Sequence, residues 1–393
     1  MKKNKVFGGI IFFVVFFWIF KEWFFSPVIA GGDLIYLYSQ FMHTISFLSA
    51  WDMRNGGMGS SMLPTLWLEA YTTATIKVFS FINWETYVRL VWFLPYIIFS
   101  ITSSYFLYKK YFNNYFLGQV ASMLYACNTY ALLMVAGGQM GIALSYALAP
   151  LMLFALENFL EKPNLKRSIF FSVIFSIVFL LDIRIAYMML LVCSVRIMMK
   201  LFSANLGKVK KYLYFLPVII LSVIGLHAFW LLPTYLTHGA AISEFGAIYT
   251  GAGAVKFFSF AKFEDAFGLL HPNWPENIFG LTHFMRPEFL VLPILAYGSL
   301  LFLKPFDSLR SLREKQEQLY VLFFVLVGLI GAFLAKGANE PFGGLYLWMF
   351  AHIPGFIMFR DPTKWYLLIA LSYSMLVPYT TGKVYEFLQR RFA

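Results

Sequence analysis

The residues best placed for chemistry are a few charged side chains in a very apolar chain. Asp33, in the stretch AGGDLIYLYSQF, stands just beyond the first long apolar run. A carboxylate there could take a proton from an acceptor hydroxyl while a leaving group departs from the opposite side of the reacting carbon. The same acid could cap a helix by accepting backbone N–H bonds, and the two readings are compatible. Asp52 lies beside Arg54 in the glycine-rich turn WDMRNGGMG (51–59), as a second candidate acid or as a residue making local backbone bonds. Asp182 and Arg184 flank one residue between two apolar runs. Charges at such ends face an interior cavity or a partner, so they either pair with each other or leave Arg184 to hold an anion. Arg360, Asp361 and Lys364 form another cluster around Pro362, which fits interfacial anchoring or recognition of a phosphate. The six histidines have no metal-ligand spacing. His227 sits inside an apolar run, and His271 with Trp274 occupies the turn-rich HPNWPEN; with Asp182 these are candidate cavity residues. No phosphate-binding glycine loop, serine nucleophile elbow or zinc-protease helix is present, which argues against a soluble nucleotide-dependent enzyme.

The elements that must position these residues are membrane helices. Hydrophobic residues make up 60% of the 393, charged residues 13%, and the mean hydropathy is +0.70. With about 20 apolar residues needed per crossing, the runs near 6–25, 86–108, 115–136, 141–160, 168–183, 185–202, 212–235, 288–304, 318–336 and 364–384 predict an all-α polytopic membrane protein of about ten transmembrane helices. The fifth and sixth runs are short and predict a re-entrant or tightly turned pair. The net charge of +12 is confined largely to short gaps rather than to a nucleic-acid-binding patch. Lys2, Lys3, Lys5, Lys109, Lys110, Lys162, Lys166, Arg167, Lys208, Lys210, Lys211, Lys304, Arg310, Arg313, Lys315, Arg390 and Arg391 fall in every second gap. By the positive-inside bias both termini are then cytoplasmic and the first run is an uncleaved anchor. The opposite face carries the long segments 26–85, 236–287 and 337–363, the first with two surface-lying helices near 34–50 and 61–81. Cys127 and Cys193 both lie in apolar runs and read as packing residues.

The order of anchor, GGDLIYLYSQF, surface helix and WDMRNGGMGSSMLPTLW resembles the start of membrane glycosyltransferases of the GT-C class. GGQMGIALSYALAPLML (137–153), LLDIRIAY (180–187), HAFWLLPTYL (227–236) and FRDPTKWYLLIALSYSML (359–376) are similar to the transmembrane core of polyprenyl-phosphate-dependent arabinofuranosyltransferases. That resemblance implies one GT-C-like domain over 1–393 in the plasma membrane, with an extracytoplasmic site. It implies a polyprenyl-phosphate-linked sugar as donor, arabinofuranosyl or another pentose or hexose, and inverting transfer to a glycan or lipid acceptor. Asp33 matches the first-loop acid and would be the base; Arg184, Arg360 and Lys364 would contact the donor phosphate.

The spacing of Asp33 and Asp52 is not a paired-acid arrangement, so no cofactor is assigned and a divalent cation is left open. Larger members of the branch continue into carbohydrate-binding domains, whereas this chain stops soon after its last apolar run. A minimal enzyme, a fragment, or a separate acceptor-binding protein would each account for that. Two other readings stand beside the enzyme: a transporter or flippase of lipid-linked glycans, which calls for inverted repeats and midplane charges, and a noncatalytic cell-envelope assembly factor.

Overall fold

The computed structural model describes residues 2–28, 32–42, 66–202, 206–236, 251–270, 287–304 and 312–392, and all regular structure among them is helical. The helices are α1 (Lys2–Phe25), α2 (Leu34–Met42), α3 (Leu66–Val78), α4 (Trp84–Phe112), α5 (Tyr115–Ala126), α6 (Thr129–Ala136), α7 (Met140–Glu161), α8 (Leu165–Leu181) and α9 (Ile183–Phe202). After these come α10 (Leu206–Leu236), α11 (Ala252–Phe258), α12 (Phe263–Phe267), α13 (Pro287–Phe302, with 3-10 ends), α14 (Leu312–Ala335), α15 (Gly343–His352) and α16 (Tyr366–Phe392). Two 3-10 turns, Phe356–Phe359 and Pro362–Trp365, lead into α16.

Asparagines start four of these helices. Asn83, Asn114, Asn128 and Asn164 each accept a backbone N–H three residues on, at 2.9–3.1 Å, which satisfies a donor that the helix start would otherwise strand. Asn128 does more. Its amide also donates to the Tyr125 carbonyl at 2.8 Å and to the Tyr146 hydroxyl at 2.9 Å, beside the stacked rings of Tyr125 and Tyr146. This polar knot lies where the predicted run 115–136 breaks into α5 and α6, bent by 48°.

The helices pack in two linked groups. In one, α7 is enclosed by α4, α8 and α9; in the other, α16 runs between α5, α13 and α14, with every residue from Tyr366 to Thr380 buried. Helix α4 joins the groups by packing against both α5 and α7. Close approach of α14 and α16 depends on small residues: a Cβ at Gly331 would lie 2.7 Å from the Leu368 Cβ. Helix α1 is tied on by Arg89, whose guanidinium donates to the carbonyls of Trp23 at 3.1 Å and Ser26 at 2.7 Å, beyond the last turn of that helix.

Five described helices are long and apolar enough to cross a membrane: Trp84–Phe112, Met140–Glu161, Ile183–Phe202, Leu206–Pro233 and Arg313–Ala335. The bent pair α5–α6 makes a sixth if it counts as one span. This is the composition of a helical membrane protein, with fewer qualifying spans than the ten expected. The predicted span 288–304 is a 16-residue unit with 3-10 ends, shorter than the roughly 20 residues a crossing needs. Helix α8 has 17 residues and is joined to α9 through the single residue Asp182, so the tightly turned pair is a helical hairpin. Of the surface-helix expectations, 34–50 is helical over Leu34–Met42 and 61–81 over Leu66–Val78 within the described residues.

Candidate active site

The turn Gly137–Gly138–Gln139–Met140–Gly141, between α6 and α7, is where distant charged residues meet. Gly138 has φ +79°, a left-handed conformation that favours glycine. A Cβ there would lie 2.2 Å from the Leu34 backbone nitrogen, so the start of α2 rests directly on this glycine. The Asp33 N–H donates to the Gly137 carbonyl at 2.9 Å and fixes the backbone from the other side. At the far end of the turn, a Cβ on Gly141 would lie 2.9 Å from the Leu181 carbonyl oxygen, one residue before Asp182. Between them, the Gln139 side-chain oxygen accepts from Lys364 Nζ at 3.1 Å.

Asp33 occupies the position preceding α2, yet its exposed carboxylate makes no hydrogen bond or ion pair with any described residue. The first turn is closed instead by backbone: the Tyr36 N–H donates to the Asp33 carbonyl at 3.2 Å. The acid therefore stands at a helix start without capping it through its side chain.

Asp182 and Arg184 pair with each other. Arg184 Nη2 lies 2.7 Å from Asp182 Oδ2, and Nε reaches both carboxylate oxygens at 3.2 Å. Asp182 Oδ1 also accepts the N–H groups of Arg184 and Ile185, so one carboxylate caps α9 and turns the hairpin. Of the two readings open from sequence, the pair is the one formed: the Arg184 Nε and Nη2 are engaged, and the Nη1 edge is what remains for an anion. Its side chain is 31% exposed, enough to present that edge.

Lys364 is 4% exposed and pairs with Asp361 at 2.8 Å. With Gln139 as a second acceptor, two of its three donors are occupied. Asp361 in turn starts the 3-10 turn by accepting the Thr363 N–H at 3.0 Å. Arg184 interacts electrostatically with Asp361 as well as Asp182, and the Tyr130 phenol with all three, so the two ion pairs belong to one cluster. The Arg360 guanidinium lies 5.6 Å from the centre of the Phe258 ring.

His227 lies elsewhere, buried in the seam between α8 and α10 against Phe179, with ring centres 4.6 Å apart. Its Nδ1 accepts the Trp230 indole N–H at 2.9 Å; an indole only donates, so the ring is neutral with its proton on Nε2. Asp52, His271 and Trp274 lie outside the described residues.

Asp361, named with Lys364 in the charged cluster around Pro362, is joined by Gln139 and Tyr130, which were not among the candidate site residues. The signal for Gln139 was present, an amide after two glycines within an apolar run. Tyr130 carried none, since tyrosines abound in this sequence. Among the described residues no group of three His, Cys, Asp or Glu side chains could hold a metal ion.

No protein-family model, curated protein or solved structure matches the chain. The functional reading therefore rests on the motifs and on the geometry above.

Proposed function

We propose that the chain is a GT-C-type glycosyltransferase that moves a sugar from a polyprenyl-phosphate carrier to an acceptor hydroxyl outside the cytoplasm. The observation that carries this reading is the 137–141 turn: Asp33, whose carboxylate has no described partner, is tied by its backbone to Gly137, and two residues on Gln139 accepts from Lys364 of the ion-pair cluster.

In the proposed reaction Asp33 accepts the proton of the acceptor hydroxyl, and the acceptor oxygen forms a bond to the anomeric carbon from that side. The bond from the anomeric carbon to the phosphate oxygen breaks, and the electron pair leaves with the polyprenyl phosphate. Attack opposite the leaving group inverts the anomeric centre. The remaining donor of Lys364 and the Nη1 edge of Arg184 would meet the charge that develops on the departing phosphate, where prepositioned donors count most. Both cations already have carboxylate partners, so the resting cluster is formally balanced, and the anion would draw donors from an existing network.

The transporter reading calls for charges near the bilayer midplane. The ion pairs of this site lie at helix ends, and Glu157 with Arg196 lies one turn from the end of α7, which favours a surface site. The test is transfer by the purified chain from a panel of polyprenyl-phosphate sugars to glycan and lipid acceptors. Transfer lost in Asp33→Asn, with the protein still inserted and folded, supports the reading; undiminished transfer in that variant removes Asp33 as the base. Lipid-linked glycan transport by the reconstituted chain without any sugar transfer would sink the enzymatic reading.

A further inference from the structure

A second cavity lies at the opposite pole of the bundle. It is about 26 Å from the start of α16, counting the helical rise from Tyr366 to Lys383. Its volume is about 340 Å³, and Tyr108, Phe112, Arg313, Glu317, Lys383 and Glu386 contribute to its wall. The apolar spans Trp84–Phe112 and Arg313–Ala335 end and begin in that wall, which sets the cavity at the depth where hydrocarbon gives way to headgroups.

The charges in the wall are unevenly satisfied. Lys383 pairs with Glu317 at 2.9 Å and also lies 5.3 Å from the centre of the Tyr379 ring. Arg313 and Glu386, of opposite sign and in the same wall, make no ion pair with each other or with any other described residue. They stand on helices α14 and α16, which pack against each other, and no ion pair joins them. A ligand carrying both charges would bridge them. A metal ion is a poor fit, since the glutamates form no ligand group. With Lys383 already paired to Glu317, an anionic headgroup on Arg313 would also meet the carboxylate of Glu386. A primary ammonium offers N–H donors that Glu386 can accept, which a trimethylated one lacks, and Lys383 already covers the Tyr379 ring that would otherwise cradle the latter.

We infer that this cavity binds the headgroup of a zwitterionic aminophospholipid, with its phosphate on Arg313 and its ammonium on Glu386. The site is independent of the glycosyl-transfer reading, and its test uses no activity. The purified full chain in detergent would be offered equal amounts of phosphatidylethanolamine, phosphatidylcholine and phosphatidylglycerol and examined by native mass spectrometry. One phosphatidylethanolamine should be retained at several-fold the level of either competitor. Glu386→Gln should erase the preference over phosphatidylcholine, and Arg313→Gln should weaken retention of both zwitterionic lipids several-fold, with unfolding temperatures confirming that both variants are folded. Free phosphoethanolamine should displace the lipid only at far higher concentration. Preferential retention of phosphatidylglycerol, equal retention of all three lipids, or wild-type selectivity in both folded variants would overturn the assignment.

Discussion

At the scale of single residues, the cost of each site side chain depends on what it leaves behind. Removing one member of a buried ion pair strands the other charge, commonly at about 3–5 kcal/mol, whereas removing both is far milder. Asp361→Asn should therefore destabilise the protein markedly through Lys364, and Lys364→Met alone less, because Asp361 is also held by the Thr363 N–H. The double variant should recover much of the loss, as read by thermal unfolding in detergent. Asp33→Asn should leave unfolding unchanged, since its carboxylate holds nothing. Lys336, just beyond α14, gives a pH signature. Its ammonium is buried and donates to the Asn339 carbonyl at 2.7 Å, and burial lowers its pKa from the usual 10.5, with Glu340 opposing the shift. Such a group binds its proton more weakly folded than unfolded, so stability should rise with pH from its folded pKa up to about the unfolded value. Lys336→Met should flatten the unfolding temperature over that alkaline window; an unchanged slope would remove Lys336 as its source. Sequence reading placed Asp33, Asp182 and Arg184 at helix ends, which they occupy. It could not tell that Asp33 leaves capping to backbone while Asp182 takes both the cap and Arg184, because carboxylates at two helix starts look alike until their neighbours are placed.

At the scale of elements, turns decide more than helices. The 137–141 turn works because Gly138 admits the backbone of Leu34 at a distance no side chain would permit. Gly138→Ala adds backbone strain of about 1–3 kcal/mol and pushes α2 away. Sugar transfer should fall much further than thermal stability, since the displaced element carries Asp33; equal losses would mean that the turn serves folding alone. Asn128→Ala removes both a cap and the bond to the Tyr146 hydroxyl. The cap alone is worth about 1 kcal/mol, and a lower unfolding temperature would register the combined loss. Hydropathy found the helices and missed the break at Asn128, since a continuous apolar run looks the same straight or bent. It also took 288–304 for a span. Apolarity marks a segment kept from water, by protein or by lipid; it does not set whether the segment is long enough to cross.

At the scale of the whole molecule, the pole that holds the lipid cavity is fastened by charge. Arg196 donates to both oxygens of Glu157, which also accepts from the Tyr111 hydroxyl at 2.9 Å, while the guanidinium lies 5.0 Å from the Tyr320 ring centre. These four side chains come from α4, α7, α9 and α14, so a single buried pair connects both helix groups. Arg196→Met should cost about 3–5 kcal/mol, and Glu157→Gln with Arg196→Met should restore part of it. A negligible effect of the single change on unfolding would show that apolar packing alone unites the groups. None of this was visible in advance. Glu157 and Arg196 stand among apolar residues near gaps rich in Lys and Arg and were not among the candidate residues; only the pairing of α7 with α9 makes them partners.

Helix α10 follows a different rule. It rests against α8, and only 6% of its most apolar window is buried inside the protein. The helix from Leu206 to Pro233 has 28 residues, but Lys208, Lys210 and Lys211 sit in its first turns; the part beyond them, Tyr212 to Pro233, is about 33 Å long, against a hydrocarbon thickness of about 30 Å. A helix that slightly exceeds the hydrocarbon core fits it with a modest tilt, and the tilt grows as the bilayer thins. The seam with α8, where His227 is packed, is the pivot on which that tilt acts. Bilayer thickness thus has a mechanical handle on this protein, and the handle is the one of the five candidate spans among the described residues that the bundle buries least.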